Sequence, residues 1–204
     1  MDELLPELGI RDWGLGIGEE YPLPNAQSLI PNPLWLEIGF GGGEHLIHQA
    51  ALYPQVGIIG CEPYINGVAG LLGQIREAGV SNVRIHQHDA RPLMARLPDA
   101  SLDKVFILYA DPWPKTRHHK RRLISTEFLN TLARVMKPGA ELRLATDHSD
   151  YCTWMLERLL AHPSFEWTAK SCADWQKPWA DWIPTRYEQK RLAGMPTYLT
   201  FVHN

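Results

Sequence analysis

Residues 36–46 read LEIGFGGGEHL, which is the end of an apolar segment, a glycine-rich turn and the start of an amphipathic stretch. A strand, a glycine turn and a helix in this order open the βαβ unit of a parallel sheet. Outward from this segment, short strand-like runs alternate with stretches of helical periodicity, which predicts parallel strands joined by right-handed crossovers. The predicted strands are 34–38, 56–61, 82–87, 103–109, 140–145, 165–171 and 197–202, and the predicted helices are 44–53, 63–78, 120–136 and 148–161.

This alternation predicts an α/β fold: a doubly wound, mostly parallel sheet of about seven strands with helices on both faces. We assign residues 34–204 to one domain, because 204 residues suffice for a single domain of ordinary size. Residues 1–33 are rich in Pro and Gly, and we expect them to be an irregular N-terminal lead. Lys137-Pro138-Gly139 is expected to end the third helix, and Ser149 or Asp150 is expected to cap the fourth.

Composition excludes several classes of protein. Hydrophobic residues make up 45% and charged residues 21%, the balance of a globular protein rather than a disordered or coiled-coil chain. No apolar run reaches the ~18 residues that a membrane span needs, and no basic-then-apolar signal opens the chain. The three cysteines are widely spaced, which suits a reducing compartment. We therefore expect a cytoplasmic protein without a membrane partner.

Charge is distributed unevenly along the chain. Residues 1–70 carry nine acids and one base, whereas residues 71–204 carry fourteen acids and nineteen bases. The steepest part is the run KTRHHKRR, with five fixed positive charges in Lys115–Arg122. Such a run is either a solvated loop or a contact for a polyanion, and only its neighbours can decide between the two.

Acidic residues follow the ends of five successive predicted strands. In an open parallel sheet, ligands bind outside the carboxyl ends of the strands. A single acid there is a usual helix cap or turn residue, but five together repel one another unless a cation or hydrogen-bond donors lie among them. The sequence therefore predicts an edge that takes a ligand with hydroxyls, amines or positive charge. The five residues are Glu37, Glu62, Asp89, Asp111 and Asp147.

The glycine turn narrows the class of ligand. Gly39 and Gly41 begin the pattern G-x-G-x-G, which lets the backbone approach a ligand closely. Glu44 stands where the dinucleotide pattern has its third glycine, and a carboxylate there disfavours a pyrophosphate and hence a nicotinamide dehydrogenase. Glu62, 21 residues after Gly41, can accept both hydroxyls of a ribose. A cationic ribose ligand without a diphosphate describes S-adenosyl-L-methionine, with Asp89 near its adenine amino group.

The end of the fourth predicted strand carries the most specific string. Residues 111–122 read DPWPKTRHHKRR and closely resemble the signature of the tRNA (guanine-N7)-methyltransferase family. LEIGFGGGEHL, GCEPY, HDA, ATDHSDY and PTRYEQK match the same family in the expected order, from residue 34 to about 190. The resemblance implies a Rossmann-like class I methyltransferase that transfers the methyl group of S-adenosyl-L-methionine to N7 of guanine 46 in the tRNA variable loop.

The resemblance also implies roles for individual residues. By this resemblance, Asp111 is the catalytic residue. The chain departs from the family before the first strand: members often carry a longer basic arm there, whereas this region has one base, Arg11. We therefore expect a weaker grip on tRNA from that side. The cofactor contacts implied are Glu37, Glu62, Asp89 and Asp111, to which we add Gly39 and Gly41. The tRNA or guanosine contacts implied are Lys115, Asp147, Thr185, Arg186, Tyr187 and Glu188.

The chemistry of guanine suggests how these residues act. N7 carries a lone pair and no proton, so no general base is needed, and a carboxylate can stabilise the cationic ring as it forms. Asp111 is predicted to do so. The N1–H and N2 donors of guanine match a carboxylate, for which Glu188 and Asp147 are the candidates. The phosphate contacts are predicted to be Lys115, Arg117, Lys120, Arg121 and Arg122.

Two other functions remain open from the residues alone. One is a methyltransferase for a small molecule, which the many positive charges of the KTRHHKRR run disfavour. The other is a non-catalytic RNA-binding protein, which the complete row of acids at the strand ends disfavours. No metal is expected, because the two pairs of nearby histidines lack a third ligand. The tryptophans of residues 175–182 either stack bases or pack beneath a loop. We expect a monomer or homodimer without an obligate partner subunit.

Overall fold

The computed structural model describes residues 31–189 and 194–204, so nearly all of the predicted lead, residues 1–33, lies outside the described residues. The strands are β1 (Leu34–Ile38), β2 (Gly57–Cys61), β3 (Val83–His86), β4 (Leu102–Leu108), β5 (Met136–Thr146), β6 (Phe165–Trp167) and β7 (Thr197–His203). The helices are α1 (Glu44–Leu52), α2 (Ile65–Ala78), α3 (Ala90–Arg96), α4 (Thr126–Val135), α5 (Ser149–Ala161), α6 (Ala173–Gln176) and α7 (Arg186–Gln189), with a 3₁₀ helix at Thr116–Arg121.

The strands form one sheet in the order β3-β2-β1-β4-β5-β7-β6. The five strands from β3 to β5 are parallel, and β7 inserts antiparallel between β5 and β6. The predicted mostly parallel, doubly wound sheet is therefore confirmed. The chain moves from the β3 edge back to the far side of β1 to form β4, so the strand order reverses between β1 and β4. A crevice for a ligand opens at such a switch point.

Alternate side chains of β1 belong to two separate cores, one on each face of the sheet. Leu36 and Ile38 pack with residues of the third to fifth helices, such as Phe128. Trp35 packs with residues of the first two helices, such as Leu46. A strand covered on both faces must be apolar throughout, which is why β1 reads as a continuous apolar run apart from Glu37. Among the described residues, no helix has the length and apolar character of a membrane span.

The predicted helix over 120–136 is wrong in its first six residues. The 3₁₀ helix occupies the basic run, and α4 begins only at Thr126. Ser125 ends the connection, because its backbone is extended and its hydroxyl accepts the N–H of Phe128 at 3.2 Å. A serine N-cap of this kind fixes a helix start locally, so the basic residues are left outside the amphipathic α4.

Two helix starts also differ from prediction. The sequence pattern predicts no helix where α3 lies; its N-cap is Asp89, whose side chain accepts the N–H of Arg91. An acid followed by Pro92 in the first turn is a recognisable helix start, so the signal was present. The cap of α5 is His148, whose ring accepts the N–H of Tyr151 at 3.3 Å, and not one of the two residues that follow it.

The fifth strand begins earlier than predicted. α4 ends at Val135, and β5 begins at once with Met136, so Lys137-Pro138-Gly139 lies inside the strand. The pairing with β4 is irregular there: its register shifts between Leu102 and Lys104. A bulge accommodates Pro and Gly in a strand, because the ladder is interrupted at those residues.

Candidate active site

A cavity of about 440 Å³ opens at the carboxyl ends of the first four strands, where the topology predicts it. Its lining comes from the loops after these strands and from the start of α7, which is distant from them in sequence. The structure thus brings most of the predicted site residues to one place. Those that line the cavity are Glu37, Gly39, Gly41, Glu62, Asp89, Asp111, Thr185, Arg186 and Tyr187, together with Arg121.

The glycine turn and Glu62 form one hydrogen-bonded unit. Gly41 donates its N–H to one carboxylate oxygen of Glu62 at 2.8 Å, and Tyr64 donates its N–H to the other at 3.0 Å. Gly39 and Gly41 have φ angles of 74° and 55°, which only glycine adopts without strain. A Cβ atom at either glycine would meet no atom within 4 Å, so the backbone is open on that side.

Glu37 is buried at the floor of the cavity with only 2% of its surface exposed. Its carboxylate lies 2.7 Å from Nδ1 of His45 in α1. The centre of the imidazole lies 4.8 Å from that of the Phe106 ring and 5.1 Å from that of the Trp182 ring. A buried carboxylate needs a polar partner, and His45 supplies it and fixes the orientation of Glu37.

Asp89 also lines the cavity, and its carboxylate already has a partner within the chain. Beyond capping α3, its carboxylate accepts a hydrogen bond of 2.9 Å from Nε of Arg91. This side-chain hydrogen bond, together with the backbone bond and the charge of Arg91, lowers the pKa of Asp89. The carboxylate is therefore ionised at neutral pH, and its predicted contact with an adenine amino group has to coexist with the Arg91 pair.

Asp111 stands in a loop whose backbone is strained on both sides. Tyr109 and Trp113 have φ angles of 53° and 43°, in the left-handed region that bulky residues avoid. Each such residue costs about 1–3 kcal/mol and persists only where the surroundings fix it. Asp111 itself is exposed at the cavity wall.

Thr185, Arg186 and Tyr187 line the cavity near the loop that carries Asp111, and the ring of Tyr187 lies 5.1 Å from that of Tyr109. Arg186 forms an ion pair of 2.6 Å with Glu44, the residue in the third-glycine slot of the glycine turn. Burial, followed by the charges of Asp147 and Asp111, raises the pKa of the Tyr187 hydroxyl. Tyr187 is therefore a protonated donor at neutral pH, close to both carboxylates.

Glu188 is placed differently from its predicted role. Its two carboxylate oxygens accept hydrogen bonds from Nε1 of Trp182 at 3.0 Å and from the hydroxyl of Tyr198 at 2.6 Å. Both oxygens are thus occupied by protein donors, and the carboxylate fastens α7 to β7. Asp147, the other candidate, is not among the residues that line the cavity, but its carboxylate acts on the hydroxyl of Tyr187, which does line it.

The tryptophan side chains of residues 175–182 are partly buried and pack against the two cores of the sheet. Trp179 and Trp182 lie 5.5 Å apart with their rings edge to face, and each contacts Tyr198. Between them, Asp181 pairs with Arg143 of β5 at 2.6 Å. These contacts support the interpretation that the tryptophans pack beneath a loop. They also fix the chain just before Thr185, the first residue of the segment that lines the cavity.

The basic run has two different environments. Arg117, Lys120 and Arg121 are exposed on the 3₁₀ helix, as is Lys115 at its N-cap. The guanidinium of Arg121 lies 4.9 Å from the centre of the Trp113 ring at the cavity mouth. Arg122 is the exception: its side chain has no exposed surface. The prediction that Arg122 contacts phosphate is wrong, because a fully buried guanidinium is not available to RNA.

Comparison with known proteins identifies the family. A family model described as a putative methyltransferase matches residues 31–197. A tRNA (guanine-N(7)-)-methyltransferase from Roseobacter denitrificans is 59% identical over 172 residues, which are 83% of this chain and 73% of that protein. The chain belongs to the tRNA (guanine-N7)-methyltransferase family. This is a family of enzymes, so the alternative of a non-catalytic RNA-binding protein is set aside.

Solved structures support the fold of this tRNA (guanine-N7)-methyltransferase family member. A variant of the 16S rRNA (adenine(1408)-N(1))-methyltransferase from Catenulisporales acidiphilia has a TM-score of 0.58 at 16% identity, covering 93% of this chain and 94% of that chain. A putative methyltransferase from Streptococcus mutans in complex with SAH has a TM-score of 0.55 at 7% identity, covering 85% and 89%. At these identities the likeness shows the fold, which is the predicted Rossmann-like class I methyltransferase fold.

The cavity of this methyltransferase has further lining residues that the sequence motifs do not indicate. Tyr64, Arg91, Tyr109 and Trp113 all line the cavity. Each stands within two residues of a predicted site residue, and this proximity was the available signal. Periodicity could not reveal them, because loop residues follow no regular pattern.

Replacement of Gly67 by Ala is expected to weaken cofactor binding to the methyltransferase about tenfold, or ~1.4 kcal/mol. A Cβ atom at Gly67 in α2 would lie 2.3 Å from the carbonyl oxygen of Gly41 and 3.0 Å from Cγ of Glu62. The glycine turn must therefore shift. Calorimetric titration of S-adenosyl-L-methionine measures the effect. The control is Gly73→Ala in the same helix, where a Cβ atom meets nothing within 4 Å. Equal affinity of the two variants would contradict the expectation.

Proposed function

We propose that the protein is a tRNA (guanine(46)-N7)-methyltransferase that uses S-adenosyl-L-methionine. The observation that carries the proposal is a single cavity in which carboxylates from four strand ends meet the segment Thr185–Tyr187. The exposed basic 3₁₀ helix adjoins this cavity through Arg121. The names of the curated relatives support the substrate, and the SAH-bound structural neighbour supports the cofactor.

The residues present fit S-adenosyl-L-methionine. Its sulfonium and ammonium groups are cationic, and five carboxylates line the cavity. Two of the three lining arginines, Arg91 and Arg186, are already paired with Asp89 and Glu44. Glu62 is held by two backbone donors and retains lone pairs for two ribose hydroxyls. Gly39 and Gly41 leave open space where a side chain would otherwise stand. Glu37 and Asp89 are the further proposed contacts.

When bound, the cofactor supplies a methyl group on sulfur, which the N7 lone pair takes as the carbon–sulfur bond breaks and its electron pair stays on sulfur. The chain must hold nucleophile, carbon and sulfur in line, which is catalysis by proximity. Asp111 is the proposed catalytic residue, because its carboxylate can stabilise the positive charge that develops on the guanine ring. Asp111 stands between two residues with left-handed backbone, Tyr109 and Trp113, in the loop after β4.

Recognition of guanine is proposed for Asp147 and Tyr187. A carboxylate matches the adjacent N1–H and N2 donors of guanine, and adenine offers no such pair. An unpaired buried carboxylate would cost about 1–3 kcal/mol, which is the basis of discrimination. Asp147 is 8% exposed and close to the Tyr187 hydroxyl. Thr185 and Arg186 line the cavity beside Tyr187, and Glu188 contributes through its hold on α7.

The exposed part of the basic run is the proposed contact for tRNA phosphates: Lys115, Arg117, Lys120 and Arg121. Phosphate contacts release counterions, so they make binding dependent on salt. This protein has no strongly basic total charge, since its formal net charge is -3. A local patch must therefore provide the attraction.

Replacement of Lys120 by Ala is expected to weaken tRNA binding and to reduce the slope of log K against log salt by roughly 0.7–0.9, one phosphate contact. Filter binding or fluorescence titration at several salt concentrations measures both. The control is Arg96→Ala, because Arg96 is exposed at the C-terminal end of α3, which runs back to the opposite edge of the sheet. The same slope in Lys120→Ala and wild type would remove Lys120 from the interface.

One assay tests the function. The purified protein is incubated with methyl-labelled S-adenosyl-L-methionine and an unmodified tRNA transcript, or with a transcript whose guanine 46 is replaced. Label in the first transcript only, recovered as 7-methylguanine, is expected. Equal labelling of both transcripts would move the target elsewhere, and labelling of neither would overturn the proposal. We also propose that the protein acts in the cytoplasm, where tRNA is found.

A further inference from the structure

Arg122 is the last residue of the basic run, and its burial sets it apart from the four exposed cations before it. The 3₁₀ helix ends at Arg121, and the backbone of Arg122 is extended, with φ −58° and ψ 132°. Its side chain has no exposed surface, whereas Arg121 is exposed. A buried guanidinium requires partners that compensate for the loss of water.

The partners of Arg122 come from two different elements. Nε donates a hydrogen bond of 2.8 Å to the carbonyl oxygen of Pro112, the residue directly after Asp111. Nη2 is bound to the carboxylate of Asp150 in the first turn of α5. The guanidinium also lies 5.3 Å from the ring of Tyr151 and 4.8 Å from that of Trp154. Arg122 thus joins the Asp111 loop to the start of α5.

The bond to Pro112 falls between the two strained residues of the loop, Tyr109 and Trp113. Strain of this kind relaxes unless neighbouring contacts oppose it. We propose that Arg122 is a positioning residue that holds the backbone of Pro112, and thereby the Asp111 carboxylate, in the geometry required for methyl transfer. The inference rests on the proposed function for its kinetic part.

Lysine distinguishes this role from a phosphate contact. Lysine binds phosphate as a point charge, but it has no planar fork that can reach a carbonyl and a carboxylate at once while lying between two rings. If Arg122 contacted RNA, Arg122→Lys would keep nearly full activity and tRNA affinity. As a positioning residue, it is expected to lose most of kcat and to leave tRNA affinity unchanged.

The test compares Arg122→Lys with wild type. We expect kcat to fall roughly 30- to 100-fold, while KM for tRNA and the salt dependence of binding stay within about twofold. Hydrogen–deuterium exchange of the peptide that contains residues 109–116 is expected to become faster. Unchanged kcat, or unchanged exchange of that peptide, would overturn the proposal, as would a loss confined to tRNA affinity.

The matched control is Arg134→Lys. Arg134 also bridges backbone carbonyls with its guanidinium, donating to Leu97 at 2.9 Å and to Met94 at 2.7 Å, but at the opposite edge of the sheet. The Arg134→Lys substitution is expected to lower the unfolding temperature and to leave kcat and the hydrogen exchange of residues 109–116 unchanged. An equal loss of kcat in this control would show a general effect of destabilisation and overturn the proposal.

Two further measurements keep the result decisive. If Arg122→Lys does not fold, Asp150→Asn is used, because Asp150 has 58% of its side chain exposed and its loss frees the same guanidinium. It is expected to change kcat and exchange in the same direction by about three- to tenfold. Failure of wild type to methylate tRNA would contradict the proposed function alone, since hydrogen exchange of the Asp111 loop still tests the role of Arg122.

Discussion

Replacement of Asp111 by Asn is expected to lower kcat by about 100- to 1000-fold, or ~2.7–4 kcal/mol of transition-state stabilisation. The carboxylate stabilises a positive charge that appears only as the methyl group reaches N7, so the ground state loses much less than the transition state. The dissociation constant of S-adenosyl-L-methionine should therefore change only a few-fold. Single-turnover methylation of tRNA and calorimetric titration of the cofactor measure the two quantities separately.

The control for this prediction is Asp99→Asn. Asp99 has 78% of its side chain exposed and pairs with Arg134, before the amino end of β4 and away from the cavity. Removal of an exposed carboxylate from this edge should leave kcat unaltered. If Asp111→Asn kept more than a tenth of the wild-type turnover, Asp111 would not be the catalytic residue.

Replacement of Glu62 by Gln is expected to raise the dissociation constant of S-adenosyl-L-methionine roughly 100-fold, or ~2.7 kcal/mol. Glu62 accepts the N–H groups of Gly41 and Tyr64 and is proposed to accept two ribose hydroxyls. Glutamine has a single acceptor oxygen, and its NH₂ group must face one of these donors. Calorimetric titration measures the affinity.

The same variant should also be less stable. Glu62 is 5% exposed, and an unsatisfied buried N–H costs about 1–3 kcal/mol of the free energy of unfolding. Denaturant titration without cofactor checks this value. Glu77→Gln on the exposed side of α2 provides the control and should change neither quantity. Wild-type affinity in Glu62→Gln would show that the ribose is held elsewhere.

Most of the fold was predictable because it depends on local patterns. The first strand has the predicted bounds, Leu34–Ile38, and all seven strands lie where runs of apolar residues predicted them. The first residue of a helix was harder to predict where a single N-cap residue determines it. Ser125 starts α4 six residues after the predicted position, and the short α3 depends on Asp89 as its N-cap. The antiparallel insertion of β7 was not predictable, because strand pairing is a long-range contact.

The site was predictable in outline for a topological reason. Parallel strands end at the same edge, so acids that follow successive strands must meet there, as Glu37, Glu62 and Asp111 do. What each acid contacts was not predictable. Glu37 pairs with His45 because β1 packs against α1. Asp89 pairs with Arg91 because both stand at the start of α3, a helix that the sequence pattern does not predict.

The sequence by itself determined the order of strands and helices along the chain and the position of the basic run, because these follow from periodicity. It also determined the edge at which the carboxylates gather, because right-handed crossovers bring the ends of parallel strands to one edge. The tertiary structure alone decided which of two adjacent arginines faces water. Arg121 and Arg122 are chemically identical, and the difference arises because the 3₁₀ helix ends between them and turns the second toward Asp150 and Trp154. It likewise turned Glu188 toward Trp182 and Tyr198, since burial and hydrogen bonding are properties of the packed chain and not of a residue type.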